Sequence, residues 1–230
     1  MKAVSIVIDK NEVSELGYSR LVESSKAVGN DFDIQRWNAI TPSNVSEFMT
    51  GAGITWSYPW EGEVVDFATG LVKTSYKTAN PKARIACACS HYCLWHESAT
   101  TNTALLILEH DAYFVNKIDF DPADVKADII GINNPLGATR KSQLFYDKVL
   151  QSTINYPLTP MIDNIYIPQG LAGNSAYIIK PAGAKQMLEL VKQYGLWPND
   201  AIMCRQLVPK LSVSRKFYTN VQGLKSTTSL

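Results

Sequence analysis

LLILEHDAYFV, residues 105–115, decides how this chain folds. Leu105, Leu106, Ile107 and Leu108 form a short continuous apolar run, which suits a strand buried on both faces of a parallel sheet. The run stops at Glu109, His110 and Asp111. In open α/β sheets, ligands bind just beyond the carboxyl ends of the strands. Two carboxylates one residue apart at such an end can share a divalent cation. Oxygen ligands suit Mg²⁺ or Mn²⁺, which bridge the phosphate oxygens of a nucleotide. The plainer reading is a polar turn after a core strand, and both stand at this point.

The elements on either side of this run support a sheet. Residues 3–8 read as a buried first strand closed by Asp9 and Lys10. Residues 13–28 carry Val13, Leu16, Leu21, Val22 and Val28 at helical intervals, with Gly29 as a C-terminal cap. Residues 34–37 form a second strand. Thr41 and Pro42 look like the N-cap and first position of a helix through Met49. Strand, helix, strand, helix is the order of a parallel α/β sheet. Further strands are expected at 129–132 and 175–179. A helix starts at Pro181 and ends near Gly195 and Pro198, and a short helical stretch runs through Leu207.

The totals fit this class. The chain has 230 residues, which suits a single domain over 1–230 with insertions. It is 46% hydrophobic, enough for a sizeable core. A net charge of +1 argues against a nucleic-acid surface or a polybasic membrane patch. No stretch reaches transmembrane length, and MKAVSIVIDK lacks the apolar length of a signal peptide. A cytoplasmic location is expected, with the four cysteines reduced. The polar tail, 225–230, is expected to fray.

Two stretches lose their periodicity and read as loop-rich insertions, 51–81 and 137–168. The first contains Trp56, Tyr58 and Trp60. Such rings stack on a sugar, cover a nucleotide, or anchor the loop to the body of the protein; anchoring is the commoner use. Residues 85–98 read as a helix with Ala86, Cys89, Cys93 and His96 along one face. Cys89, Cys93 and His96, with Cys204 as a fourth, offer zinc donors, but the paired spacing of zinc sites is missing. Small core residues are the better account of these cysteines.

Three stretches in order resemble glycosyltransferase family 25, the lipooligosaccharide and collagen galactosyltransferase group. In ARIACACSHYCLW, Cys87, Ser90, His91, Leu94 and Trp95 fit, while Ala83 and Ala86 stand where the family usually has glycine. In LLILEHDAYF, Glu109, Asp111 and Ala112 fit a strand ending Glu-Asp-Asp-Ala, and His110 replaces the middle acid. In SAYIIKPAGAKQML with WPNDAIM, Tyr177, Gly183, Ala184, Pro198 and Asp200 fit. The opening AVSIVIDK resembles the family's first strand and keeps Asp9, with few arginines after it.

This resemblance implies a GT-A-like, Rossmann-type α/β sandwich with a mostly parallel central sheet. It implies a nucleotide sugar donor, UDP-galactose or UDP-glucose, and a glycan or protein hydroxyl as acceptor. It implies a divalent ion, Mn²⁺ or Mg²⁺, at Asp111 with Glu109, and transfer with inversion. Asp9, His91, Glu109 and Asp111 are then the donor-site residues. Asp200 is the candidate base, or else the N-cap of the helix that follows it. His91 either meets the donor or is a buried histidine satisfied by a nearby loop. Ser90 and His91 do not form a nucleophile pair, because adjacent helical residues diverge by about 100°. Two other functions remain open: a non-catalytic sugar-nucleotide or glycan binder, and a metal-dependent nucleotidyltransferase. The first binds without turnover; the second cleaves beside the α-phosphate.

Overall fold

The computed structural model describes residues 1–138 and 141–224, so the 225–230 tail lies outside the described residues. The strands are β1 (Lys2–Val7), β2 (Ile34–Asn38), β3 (Glu63–Asp66), β4 (Leu71–Thr74), β5 (Leu105–Glu109), β6 (Ala112–Phe114), β7 (Ile129–Gly131), β8 (Ala176–Ile179), β9 (Leu211–Val213) and β10 (Thr219–Val221). The helices are α1 (Glu12–Ala27), α2 (Val45–Ala52), α3 (Pro81–Thr101), α4 (Ser142–Gln151), α5 (Pro181–Tyr194) and α6 (Asn199–Ile202).

Among the described residues, six strands form one sheet in the order β2-β1-β5-β8-β7-β9. Its pairs are parallel except at β8, which runs against both β5 and β7. The fold is therefore the expected Rossmann-like α/β sandwich with a mostly parallel sheet. β5 lies at its centre, and Leu105–Leu108 are fully buried. Each such side chain contributes about 1.5–3 kcal/mol by leaving water. Alternation sends Leu105 and Ile107 to the face covered by α3 and α5, and Leu106 and Leu108 to the face of α1 and β6. Glu109 continues the odd-numbered face, so its carboxylate is aimed toward α3. Tyr177 pairs with Ile107 in register and shares that face.

Three boundaries differ from the sequence reading, and both insertions contain regular structure. α2 begins at Val45, because residues 41–44 form a turn in which the Thr41 amide donates to Asn44 Oδ1. α3 begins at Pro81, with Asn80 Oδ1 accepting from the Ala83 amide as N-cap, four residues before the expected start. The 51–81 stretch contains the β3–β4 hairpin, and 137–168 contains α4, whose Phe145 and Val149 are buried one turn apart. The last helix ends at Ile202 rather than Leu207. β6, β9 and β10 are three residues each, too short for periodicity to reveal.

The turn after β5 is held from two sides. Gly17 of α1 lies so close that a Cβ there would sit 2.6 Å from the His110 carbonyl oxygen. The Gln222 side-chain amide donates to the carbonyls of Gly17, His110 and Ala112, and its main-chain amide donates to Asp111 O. Gly17→Ala tests this clamp. Alanine in a helix interior gains about 1 kcal/mol over glycine. Overpacking against a backbone atom costs roughly 1–3 kcal/mol. The clash should win: the melting temperature should fall, and a variant that melts higher than the parent would show that α1 does not brace the turn.

Candidate active site

β1 and β5 are parallel neighbours, so their carboxyl ends open together on one edge of the sheet, with Ile6 opposite Glu109. A cleft of about 650 Å³ lies there. Its walls come from the β1–α1 turn, the chain after β2, the first turns of α3, and Glu109, His110 and Asp111. Among the described residues lining this cleft there is no lysine or arginine. No helix of the described residues is long and apolar enough to cross a membrane.

Glu109 is positioned by a buried relay. Trp95 Nε1 donates to the Tyr177 hydroxyl at 2.8 Å, and that hydroxyl is 2.9 Å from His91 Nδ1. Burial pushes the Tyr177 hydroxyl well above its ordinary value, so it keeps its proton. The Glu109 carboxylate can only accept, so a neutral His91 ring carries its hydrogen on Nε2, and Nδ1 accepts from the Tyr177 hydroxyl. Nε2 donates to Glu109 Oε1 at 3.2 Å. The helix makes this possible: His91 and Trp95 are one turn apart on α3 and both face Tyr177. His91 is thus a satisfied buried histidine that also holds a cleft carboxylate. Ser90 is occupied, donating to Ala86 O and accepting from the Ile40 amide, which ties the chain after β2 to α3.

Asp111 is in the opposite condition. Its Oδ1 is buried with no hydrogen-bond partner. Burial, and then the charge of Glu109, push its carboxyl up to about 7. His110, between them, is buried; burial lowers its pKa, and its ring is hydrogen-bonded to the Ile6 main chain. Asp9 stands on an exposed turn, paired with Arg36 at 3.2 Å, and is not among the residues lining the cleft. Arg36 is also gripped by both Glu15 carboxylate oxygens at 2.5 and 2.6 Å, so this cation is committed at the surface.

Asp200 lies within the first turn of α6, with Pro198 at the N-cap position, so it is not the cap itself. Burial raises its pKa, opposed by the nearby Arg84 charge and by a hydrogen bond from Tyr76. Arg84 lies over the Tyr76 ring, 4.9 Å from its centroid, and its Nε is buried without a partner. The α6 segment is fixed by Gly170, where a Cβ would fall 2.1 Å from the Asp200 carbonyl oxygen. Cys87 links the two halves of the site. Burial pushes its thiol well up, and the charges of Glu109, Asp200 and Asp111 add to the effect. Glu109 and Asp111 line the cleft, and Asp200, outside its lining, is near enough for the charge of Glu109 to act on it. Arg84 and Tyr76 escaped the sequence reading, although Arg84, Cys87 and His91 are spaced i, i+3, i+7 on α3, a stripe next to the one chosen.

Two metal donor sets can be compared. Among the described residues, Cys87 Sγ, His91 Nε2 and a Glu109 oxygen lie within 4.8 Å of one another. A metal at His91 Nε2 would need the proton moved to Nδ1, where the Tyr177 hydroxyl already donates. Burial also pushes the Cys87 thiol well up. This trio is set as a hydrogen-bonded support for Glu109. The Glu109–Asp111 pair, with an orphaned buried oxygen and mutual repulsion, fits a hard divalent cation. The zinc set considered above is not assembled: His96 is exposed and bonded to Thr100, and Cys89 and Cys204 are buried thiols.

Tyr177→Phe tests the relay. It removes the hydroxyl donated to His91 Nδ1 and leaves Trp95 Nε1 unpartnered, a cost of about 1–3 kcal/mol. The expected result is a lower melting temperature with the His91 Nε2–H tautomer retained in ¹⁵N spectra, since Glu109 still accepts from it. Loss of that tautomer would mean that the Tyr177 hydroxyl fixes the ring.

The sequence was compared with known proteins. The model of glycosyltransferase family 25 (LPS biosynthesis protein) matches residues 30–203. That span runs from just before β2 through α6 and contains Arg84, His91, Glu109, Asp111 and Asp200. No curated protein matches the chain. A match over more than half of the 230 residues, on a fold whose central strand delivers the matching acids to one cleft, shows that the chain belongs to glycosyltransferase family 25.

Proposed function

We propose that the protein transfers a hexose from a nucleotide diphosphate sugar, UDP-galactose or UDP-glucose, to a hydroxyl of a glycan or protein acceptor, with inversion at the sugar carbon. The observation that carries this reading is the charge of the cleft: two carboxylates and no lysine or arginine among its described lining residues. Such a cleft repels a diphosphate unless a cation joins it. Glu109 and Asp111 would hold Mn²⁺ or Mg²⁺, which supplies counter-charge to the departing diphosphate. The domain is then of GT-A type, one unit over 1–230.

The chain's own groups do the rest. Asp200 accepts the proton of the attacking acceptor hydroxyl. Its desolvated carboxylate is a stronger base than one in water, and the Tyr76 hydroxyl orients it. Arg84 keeps it ionised enough to accept. His91 holds Glu109 in one rotamer, so the acid that meets the cation does not swing toward Asp200. Asp9, outside the cleft, is assigned a supporting part through Arg36 and α1 rather than contact with the donor.

Asp200→Asn separates catalysis from folding. Loss of a general base costs about 10²–10⁴-fold in the chemical step. Donor binding and melting should stay near those of the parent. Transfer within a few-fold of the parent would leave the base elsewhere, and cleavage beside the α-phosphate would replace the reading with nucleotidyl transfer. The anomeric configuration of the product, read by proton NMR, tests inversion.

Asp111→Asn tests the cation site without turnover. An acid whose folded pKa is raised binds its proton more tightly in the native state. The native state then holds more protons than the unfolded chain between the ordinary Asp value and about 7, so this group's contribution makes stability fall as pH rises through that window. At pH 8 without metal, Asp111→Asn should raise the melting temperature by a few degrees, since about 1 kcal/mol moves it by roughly 2–4 °C in a chain of this size. Mn²⁺ should stabilise the parent and not the variant. Equal stabilisation of both by Mn²⁺ would place the ion elsewhere.

A further inference from the structure

The hairpin β3–β4 and the aromatic loop before it have no part in the mechanism above. A second cavity of about 510 Å³ lies against them, lined by Trp60, Glu61, Ser75, Tyr76 and Lys77 among others. That is within the size of small-ligand sites, about 300–1,000 Å³. Its wall reaches Ala79, and the next residue, Asn80, lines the cleft at β5, so the two cavities are neighbours along the chain entering α3.

Trp60 is 38% exposed and lies stacked on Trp56, with ring centroids 5.0 Å apart and planes 10° from parallel. Trp56 is fixed by its Nε1 donating to Tyr58 O at 2.8 Å. The rings continue inward: Tyr58 stacks on Tyr76 at 5.8 Å and touches Trp197 at 5.8 Å. The loop is stitched to the segment that delivers Asp200. Leu196 N donates to Thr55 O, Ser57 N donates to Leu196 O, and the Ser57 hydroxyl donates to Tyr194 O. Tyr76 belongs to both places: it lines the groove, and its hydroxyl is hydrogen-bonded to Asp200. A ligand in this groove therefore meets a residue that is itself hydrogen-bonded to the proposed base.

We infer that this groove is the acceptor site and that it takes a hexopyranose ring of a glycan, laid on Trp60 and presenting a hydroxyl toward Asp200. The acceptor role rests on the transferase reading above. A pyranose has a flat C–H face that suits an indole ring, and a rim of hydroxyls that suits Glu61, Ser75 and Lys77. The nucleotide, which needs counter-charge, belongs to the carboxylate cleft; the groove has rings and mixed polar groups in its place.

The test uses the full chain and two probes, methyl β-D-galactopyranoside and methyl β-D-glucopyranoside, followed through the tryptophan indole N–H resonances. Trp60→Ala identifies the Trp60 signal by its absence. The Trp60 resonance should move saturably with at least one glycoside, while that of buried Trp95 stays still. Trp60→Ala should weaken binding roughly tenfold, the scale of one aromatic stacking contact, and Trp60→Phe should recover much of it. Because Trp60 is half-exposed, both variants should melt near the parent. A Trp60 signal unmoved by both glycosides, or equal binding by Trp60→Ala, would overturn the inference. A parallel thermal-shift series with UDP-hexoses and Mn²⁺ keeps the two readings apart. UDP-hexose binding with a silent Trp60 removes the acceptor groove alone. Glycoside binding without any UDP-hexose effect removes the donor reading and leaves a sugar site.

Discussion

The cleft sets two carboxylates at one strand end with no lysine or arginine among its described lining residues, and much of the local architecture bears on that pair. Glu109 and Asp111 are brought to one strand end by the burial of Leu105–Leu108 on both faces of the sheet. Water is largely withdrawn from Asp111, and Glu109 adds like charge beside it. Neither effect is relieved by a lysine or arginine among the described residues of the cleft lining. An arrangement of this kind costs stability in the free protein and is recovered when a ligand of opposite charge arrives. The surrounding contacts keep the two acids from escaping the repulsion. The clamp of Gly17 and Gln222 holds the turn's backbone, and the Trp95–Tyr177–His91 relay holds the Glu109 side chain.

The relay also explains residue choices that composition alone leaves unexplained. A phenylalanine at 177 would pack as well as tyrosine against α3, and a leucine at 95 would fill much of the same core. Both polar tips are retained because a buried imidazole needs a partner on each nitrogen. With Tyr177 donating at Nδ1, the ring offers a hydrogen to the cleft and not a lone pair. A carboxylate is the natural recipient. The same residues carry three potential metal donors, and with the imidazole proton on Nε2 they hold Glu109 through a hydrogen bond. That role rests on the placement of one ring proton rather than on the spacing of donors.

The sheet was legible in the sequence because its signal is local. Four large apolar residues in a row need two covered faces, and the alternation of strands and helices around them leaves few ways to supply these. The acids at the strand end were legible for the same reason. The antiparallel sense of β8 was not, since a four-residue apolar strand reads the same in either direction. The hairpin was hidden because the β3 valines, Val64 and Val65, are exposed neighbours that show no alternation of burial. Arg84 and Tyr76 were hidden because their meaning comes from Asp200, more than a hundred residues away. The stripe of Ala86, Cys89, Cys93 and His96 runs from the core to the surface: Ala86 and Cys89 are packed in the core, as small residues there should be, and His96 is exposed.

His110 is the departure from the family pattern with the most direct bearing on the proposed cation site. An imidazole in place of an acid removes one potential oxygen ligand and offers a softer donor. Its position limits the consequence. The side chain is 9% exposed, and its ring is hydrogen-bonded to the Ile6 main chain on the neighbouring strand. In a turn whose carbonyl at 110 is pinned by Gln222 and backed by Gly17, the middle side chain has little freedom to swing outward. An aspartate in that place would be a third desolvated carboxylate beside two others, and the repulsion already felt by Asp111 would grow. A histidine kept neutral by burial spares the turn that charge and still bridges β5 to β1. The substitution is thus compatible with a two-carboxylate cation site, and it shifts the share of each ligand: with the middle position spent on the sheet, Asp111 and Glu109 alone set the charge that a nucleotide-bound cation would meet.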